Sequence, residues 1–286
     1  MEYHSKIAVI GGDTRQAVVA SLLSEEGFEV AIFGNNSTNI GASTRCTDLD
    51  GAIRGSFAIL LPLPYSIDKI TIFSPMYDKI IYLADIISLL DKQILIGGLT
   101  KGLSDICSNE IVDYFEDEEL QILNAIPTAE GAIGIAMDLL PITLHNSDCL
   151  VVGFGRVAKA LAHDLLGLGA NVTVMARKRS DFAYCNVYGY KTANFSSLTN
   201  GIGKYDIIFN TVPEKLFTYE VLEKVGKNTA IIDLASKPGG IDFDSAKRLG
   251  LTVNWALSLP GKVAPITAGK IIKKSIFGLL TQRRDS

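Results

Sequence analysis

Residues 148–179 read DCLVVGFGRVAKALAHDLLGLGANVTVMARKR, and this stretch decides the fold. An apolar run enters Gly153-Phe154-Gly155-Arg156-Val157-Ala158, a helix-length amphipathic segment follows, and a second β-rich run occupies 171–175. The spacing is GxGxxA in a strand–turn–helix–strand context. Gly153 permits the tight turn, Gly155 lets the backbone approach a pyrophosphate, and small Ala158 allows close packing of helix on strand. Backbone N–H groups at the helix start then favour the anion. The stretch predicts a dinucleotide-binding βαβ unit.

The same alternation runs outward in both directions. Strands are expected at 6–10, 29–33, 57–61, 93–96 and 120–124, and again at 149–152, 171–175, 206–209, 229–233 and 251–255. Helical periodicity appears at 14–26, 78–90, 103–115, 128–140, 155–168, 214–225, 242–249 and 266–280. Strands separated by helix-length segments mean βαβ units and parallel sheets. The pattern restarts near residue 148. The expectation is α/β, two Rossmann-like doubly wound domains: 1–126 for substrate, a bridging helix over 127–145, and 146–258 for cofactor. Thr128 reads as the N-cap of the bridging helix and Pro141 as its stop. A C-terminal helix over 265–282 is expected to return to the first domain, and QRRDS to fray. A cleft between domains is the default ligand site.

The 286 residues suit two domains, and 48% apolar with 20% charged residues is an ordinary globular balance. The net charge, 27 − 31 = −4, offers no global basic field for nucleic acid or anionic membrane. The N-terminal MEYHSK lacks a signal-peptide pattern, and Asp85, Asp91 and Lys92 interrupt the apolar stretch at 80–96, so a cytoplasmic protein is expected. Cys46, Cys107, Cys149 and Cys185 form no CxxC pair. His4 is terminal, His145 is placed at a helix end and His163 in mid-helix, so no zinc spacing exists.

The second strand of the fingerprint ends at Ala176, where an NAD site usually has Asp or Glu. Arg177, Lys178 and Arg179 follow and can pair with a 2′-phosphate, which favours NADP(H), with NAD(H) possible. Thr211, Val212 and Pro213 end a later strand at the edge where the nicotinamide half lies, and are cofactor-contact candidates. Ala235 and Ser236 in DLASKPGG are further candidates, with Lys237 beside them and Asp233 as a ligand group or a loop brace. In LPGKVAPITAG, Lys262 and Thr267 sit where free helix N–H groups favour an anion.

Residues 10–16, IGGDTRQ, hold the equivalent first turn of the chain but not its glycine spacing. Asp13 there opposes a phosphate. Arg15 and Gln16 offer a small carboxylate a bidentate cation and an amide. Asp13 is placed to fix Arg15; alternatively, Asp13 is the N-cap and Arg15 is solvated.

Taken in order, KIAVIGGDTRQ, NAIPTAEGAI, VVGFGRVAKALA, FNTVP, DLASKPGG and ALSLPGKVAPITAG resemble the dipicolinate synthase A-subunit family, across nearly the whole chain apart from the variable 35–56 and 180–205. The resemblance implies a fold similar to formate/glycerate dehydrogenases and an NADP-dependent oxidation, with dehydration, of a cyclic (hydroxy)tetrahydrodipicolinate or dihydrodipicolinate to dipicolinate. It also implies that the partner is a flavoprotein-like B subunit, and that the protein acts in the mother cell of a sporulating bacterium. A homo-oligomer is expected from the fold family. For that chemistry Glu130, Asp13 and Lys262 are the acid/base candidates, and Arg15, Gln16, Thr128 and Thr267 the dicarboxylate contacts. A 2-hydroxyacid dehydrogenase is disfavoured, since no histidine falls on a late loop of the nucleotide domain. The alternatives are a shikimate-dehydrogenase-like NADP enzyme, which FNTVP resembles, and a silent NADP-binding subunit.

Overall fold

A computed structural model describes residues 6–38 and 40–284; His4 lies outside them. The chain divides into two compact units, residues 1–124 with 264–286, and residues 125–263.

The first unit contains β1 (Lys6–Ile10), α1 (Thr14–Glu25), β2 (Glu29–Phe33), β3 (Thr44–Arg45), α2 (Leu49–Ile53), β4 (Ala58–Leu60), α3 (Leu83–Ser88), β5 (Ile94–Gly97) and β6 (Ile111–Asp113). The chain crosses the division within α4 (Glu118–Leu139). The second unit contains β7 (Asp148–Val152), α5 (Arg156–Gly167), β8 (Asn171–Ala176), α6 (Arg179–Tyr188), β9 (Lys191–Asn194), β10 (Ile207–Asn210), α7 (Tyr219–Leu222), β11 (Ala230–Asp233), α8 (Phe243–Arg248), β12 (Thr252–Trp255) and α9 (Leu259–Val263). α10 (Pro265–Arg284) then belongs to the first unit.

Each unit holds a six-stranded sheet. The orders are β3-β2-β1-β4-β5-β6 and β9-β8-β7-β10-β11-β12, so both follow the dinucleotide-fold order 3-2-1-4-5-6. Every paired strand is parallel, from β1 with β2 to β11 with β12. Parallel sheets bury both faces, and the side-chain period of two divides each strand between two cores. In β1, Ile7 and Val9 join Val19, Leu23, Ile272 and Ile276, whereas Ala8 and Ile10 join Ala52, Ile53 and Ile86. In β7, Cys149 and Val151 pack with Leu161 and Leu165 of α5, whereas Leu150 and Val152 pack with Leu222 and Ala246. Burial pushes the Cys149 thiol up to about 11, so this cysteine is a packing residue.

Several expectations require correction. The run 120–124 is helix, because the helix signal lies upstream: Asp117 accepts from Glu119 N at 2.9 Å, and Glu118 and Glu119 fill the first turn. Pro127 therefore lies inside α4, and Thr128 is an interior residue rather than an N-cap. Residues 103–115 form one 3-10 turn, the edge strand β6 and the start of another turn, in place of a helix. At the C-terminus, α10 continues through Arg284, so Gln282–Arg284 are helical. Expected helices at 78–90 and 214–225 contract to α3 and α7, while β3, α2, α6 and β9 occupy the variable regions.

α10 reaches α1 because Gly269 has no side chain. A Cβ there would come within 2.7 Å of Val18 Cβ and 2.9 Å of the Arg15 carbonyl oxygen. Gly269→Val is expected to destabilise the first unit by about 2 kcal/mol, read as a lower urea midpoint. An unchanged midpoint would show that the helices do not meet there.

Candidate dinucleotide and substrate sites

In the second unit the first strand and the fourth, β7 and β10, are neighbours from which crossovers leave in opposite directions. Ligands of open α/β sheets bind beyond the carboxyl ends at that point. The predicted glycine loop stands there. Gly153 has φ +102° and donates its N–H to the Met175 carbonyl at 2.8 Å. A Cβ on Gly153 would lie 2.4 Å from Thr211 Oγ1, so the loop fits flush against the β10 turn. Gly155 is the N-cap of α5, is exposed, and a Cβ there would meet nothing within 4 Å. Its backbone is thus open to a bound anion, as a pyrophosphate site requires. Ala158 is fully buried against the sheet, and Val157 is half-buried. Phe154 is buried under the Lys159 ammonium, 5.3 Å from its ring centroid. Arg156 begins α5 with an exposed side chain.

The neighbouring turns are clamped by two buried groups. Asn210 Nδ2 donates to Asp233 Oδ1 at 2.8 Å and to the Val212 carbonyl at 2.9 Å. The Asp233 carboxylate also accepts from Ala235 N at 3.1 Å and Gly240 N at 2.8 Å. Both side chains are fully buried, so Asp233 is the brace and not a ligand group. Ala235 is buried, its carbonyl taking the Trp255 indole N–H at 3.0 Å. Thr211 and Val212 are half-buried, and Pro213 and Ser236 are exposed along the same edge. Thr211 Oγ1 is spent on the Val152 carbonyl at 2.8 Å.

Ala176 is buried at the end of β8, and Arg177, Lys178 and Arg179 are exposed. Composition did not reveal that Glu214 faces this turn. Arg177 Nη2 lies 3.3 Å from Glu214 Oε1, with both side chains more than half exposed, and its guanidinium is 5.6 Å from the Phe195 ring centroid. An ion pair so exposed is weak. Arg177 can exchange it for a stronger anion.

The corresponding turn of the first unit is closed. Gly12 N, a donor that a phosphate would need, goes to the Phe73 carbonyl at 2.8 Å. Ile72, Phe73 and Ser74 cover Gly11 so closely that a Cβ would meet Ile72 Cγ2 at 2.8 Å. Asp13 is the N-cap of α1, accepting from Arg15 N at 2.9 Å. It also takes Arg15 Nε at 3.0 Å and Nη2 at 2.7 Å, and Nη2 donates again to the Leu63 carbonyl at 2.6 Å. Arg15 is 6% exposed and is held, not solvated. The expected bidentate fork toward a ligand is turned onto Asp13, which leaves Nη1 outside these bonds. Gln16 is also corrected: it is 2% exposed and its amide donates to the Leu60 carbonyl at 3.3 Å, bracing the end of β4. Sequence reading missed Asn35, whose amide ties together the Gly11, Gly12 and Asp13 carbonyls.

Glu130 is exposed in the middle of α4, and its charge helps raise the Asp164 carboxyl, after burial as the main cause. Asp164 is eight residues from the start of α5, about 12 Å along the helix. Lys262 is exposed in the short α9, and Thr267 is exposed at the third position of α10. Thr128 is half-buried. His145 sets Nδ1 3.3 Å from the Leu168 carbonyl, before β7 and opposite the glycine-loop edge; it follows α4 in a loop and ends no helix. His163 lies on α5.

Comparison with known proteins agrees with this division. Residues 6–116 match the N-terminal domain of the dipicolinate synthase A-subunit, and residues 129–238 match the NAD-binding domain of D-isomer specific 2-hydroxyacid dehydrogenases. The dipicolinate synthase A-subunit of Bacillus subtilis (strain 168) is 31% identical over 97% of this chain and 96% of its own length. The chain belongs to the dipicolinate synthase A-subunit family. Crystal structures of family members from Bacillus subtilis and Bacillus halodurans superpose with TM-scores of 0.87 and 0.90 at 30% identity, covering 99% and 98% of this chain and 97% and 99% of theirs. A transhydrogenase from Sinorhizobium meliloti, 16% identical with TM-score 0.71 over 97% of this chain and 94% of its own, shares the fold. The chain is thus an NAD(P)-dependent oxidoreductase built on a Rossmann-type nucleotide domain. Among the described residues no group of ligating side chains could hold a metal, and no helix is long and apolar enough to cross a membrane.

Asp233→Ala removes the acceptor of one Asn210 Nδ2 hydrogen bond and of the Ala235 and Gly240 N–H groups. A loss of about 3 kcal/mol in unfolding free energy is expected, with weakened dinucleotide binding. Wild-type stability in denaturant titration would refute the bracing role.

Proposed function

We propose that this protein oxidises a cyclic (hydroxy)tetrahydrodipicolinate or dihydrodipicolinate to dipicolinate with NADP⁺, together with a flavoprotein-like B subunit during sporulation. One observation carries the cofactor half of this reading: the open Gly155 backbone at the start of α5, beside a strand that ends in Ala176 and three exposed cations. Bound NADP⁺ supplies a two-electron acceptor for hydride. Residues 153–158 hold the pyrophosphate, Arg177 with Lys178 and Arg179 the 2′-phosphate, and Thr211 to Pro213 with Ala235 and Ser236 border the nicotinamide half.

The substrate side rests on family membership and on the first unit. A ring carrying two carboxylates needs cations and free helix N–H groups, and Arg15 Nη1 and the α10 start at Thr267 are the proposed contacts on the first unit. Asp13 positions Arg15, since its carboxylate is already filled by that residue. Lys262 is the remaining candidate to move a proton, as aromatisation releases one proton with each hydride and loss of a 4-hydroxyl requires an acid. Glu130 is retained as a test position only.

The locked state of Asp13 favours one second reading, a silent NADP-binding subunit. Incubating NADP⁺ and the cyclic precursor with this chain, with and without the B subunit, separates the two by the ultraviolet absorbance of dipicolinate. NADPH and dipicolinate are expected with both subunits present, and product from this chain alone excludes the silent reading. No NADPH formed under either condition overturns the proposed oxidation.

Two substitutions test the cofactor preference. Arg177→Ala is expected to weaken NADPH binding about tenfold and NADH binding little. Glu214→Gln removes the competing carboxylate and strengthens NADPH binding about threefold. Equal wild-type affinities for NADPH and NADH in fluorescence titration would rule the preference out. Arg15→Ala is expected to impair substrate turnover while NADPH affinity stays at the wild-type value; a parallel loss of both would place Arg15 in general stability.

A further inference from the structure

The connection from β9 to β10 carries no α-helix. Two single-turn 3-10 segments, Phe195–Ser197 and Ile202–Lys204, stand where a crossover helix ordinarily covers the sheet. The face of β7, β8 and β9 beneath them is thinly roofed, and a cavity of about 440 Å³ remains. That volume lies within the range of small-molecule sites. Leu150 and Met175 form its floor, and Leu198, Ile202 and Tyr205 come from the roof. None of residues 153–158, 176–179 or 211–213 lines it. Its apolar residues belong to the core on the far side of the sheet from α5.

Three polar features point to an anion. Lys191 and Lys204 both line the cavity and are exposed, and no Asp or Glu accompanies them. Lys204 Nζ stands 5.2 Å from the Tyr205 ring centroid, over a wall of the same cavity. Thr173 also lines it, opposite Lys191 in the sheet register, and is only 6% exposed. Its hydroxyl has no hydrogen-bond partner among the described residues, and it is not sealed from solvent as the Tyr65 hydroxyl is. A nearly buried hydroxyl left without a protein partner is available to an acceptor atom of a ligand.

We propose that this cavity binds a small cyclic organic anion, distinct from the dinucleotide. The ring body lies on Leu150, Met175 and Leu198, the acidic group between Lys191 and Lys204, and an acceptor atom takes the Thr173 hydroxyl. The roof adjoins the dinucleotide site through Phe195, which stacks under Arg177.

The test uses the full chain with saturating NADPH and the fluorescent dye anilinonaphthalene sulfonate, an aromatic sulfonate. One dye per chain is expected to bind. Lys191→Met with Lys204→Met should weaken it about tenfold, whereas Lys191→Arg with Lys204→Arg should hold it within about threefold. Thr173→Val, an isosteric change, should also weaken it. The proposal is overturned if NADPH displaces the dye, or if the Met pair binds it as tightly as wild type. The Arg pair keeps the charge and controls for loss of fold, and its failure to bind with an unaltered urea midpoint would equally refute the site.

Discussion

Everything in each unit follows from one constraint: six parallel strands whose order reverses beside the first strand. A parallel sheet needs cover on both faces, and its crossovers must leave the first and fourth strands in opposite directions. The carboxyl ends of those two strands are then left uncovered by any helix. In the first unit this point lies between β1 and β4, and in the second between β7 and β10. Function is decided by what fills each gap.

The two turns at these points hold the same place in the sheet order and are put to opposite use. In the second unit the turn is kept open, with Gly155 bare and the surrounding loops held from below by Asn210 and Asp233. In the first, Phe73 consumes the Gly12 donor and Asp13 occupies Arg15. A dinucleotide would have to break these contacts before its phosphates found any amide. Polar groups are buried at both points, but for different purposes. Asp233 accepts three donors to shape a site, and Arg15 is restrained so that one edge alone can face outward.

The sequence was most legible where periodicity and glycine spacing coincide. GxGxxA and the restart of the strand pattern at 148 announced two parallel sheets, and the structure has both. It was least legible in α4, because an interior Pro127 and a capping-type Thr128 suggest a beginning where the helix already runs. The true start depends on Asp117, in an acidic stretch with no apolar periodicity to mark it. The variable 35–56 and 180–205 regions hold short edge strands and single turns too brief for any period to show, with the longer α6 burying only Cys185 and so carrying no apolar stripe. In the site, residue types and the Asp13–Arg15 pair were readable, but the other partners were not. Arg15 and Gln16 carry the chemistry of ligand contacts, yet Asp13, Leu63 and Leu60 use most of it. Glu214 lies 37 residues from Arg177, a distance that only the sheet topology closes.

The close seat of Gly269 on α1 has a temporal consequence. The first unit is assembled from both ends of the polypeptide, with residues 1–124 needing Ile272, Ile276 and Leu280 to close one face of their sheet. The nucleotide unit is contiguous, and all of it leaves the ribosome before those residues do. During synthesis the order of completion therefore reverses the order of translation. The chain that emerges first must wait, one apolar face uncovered, until the last helix has been made.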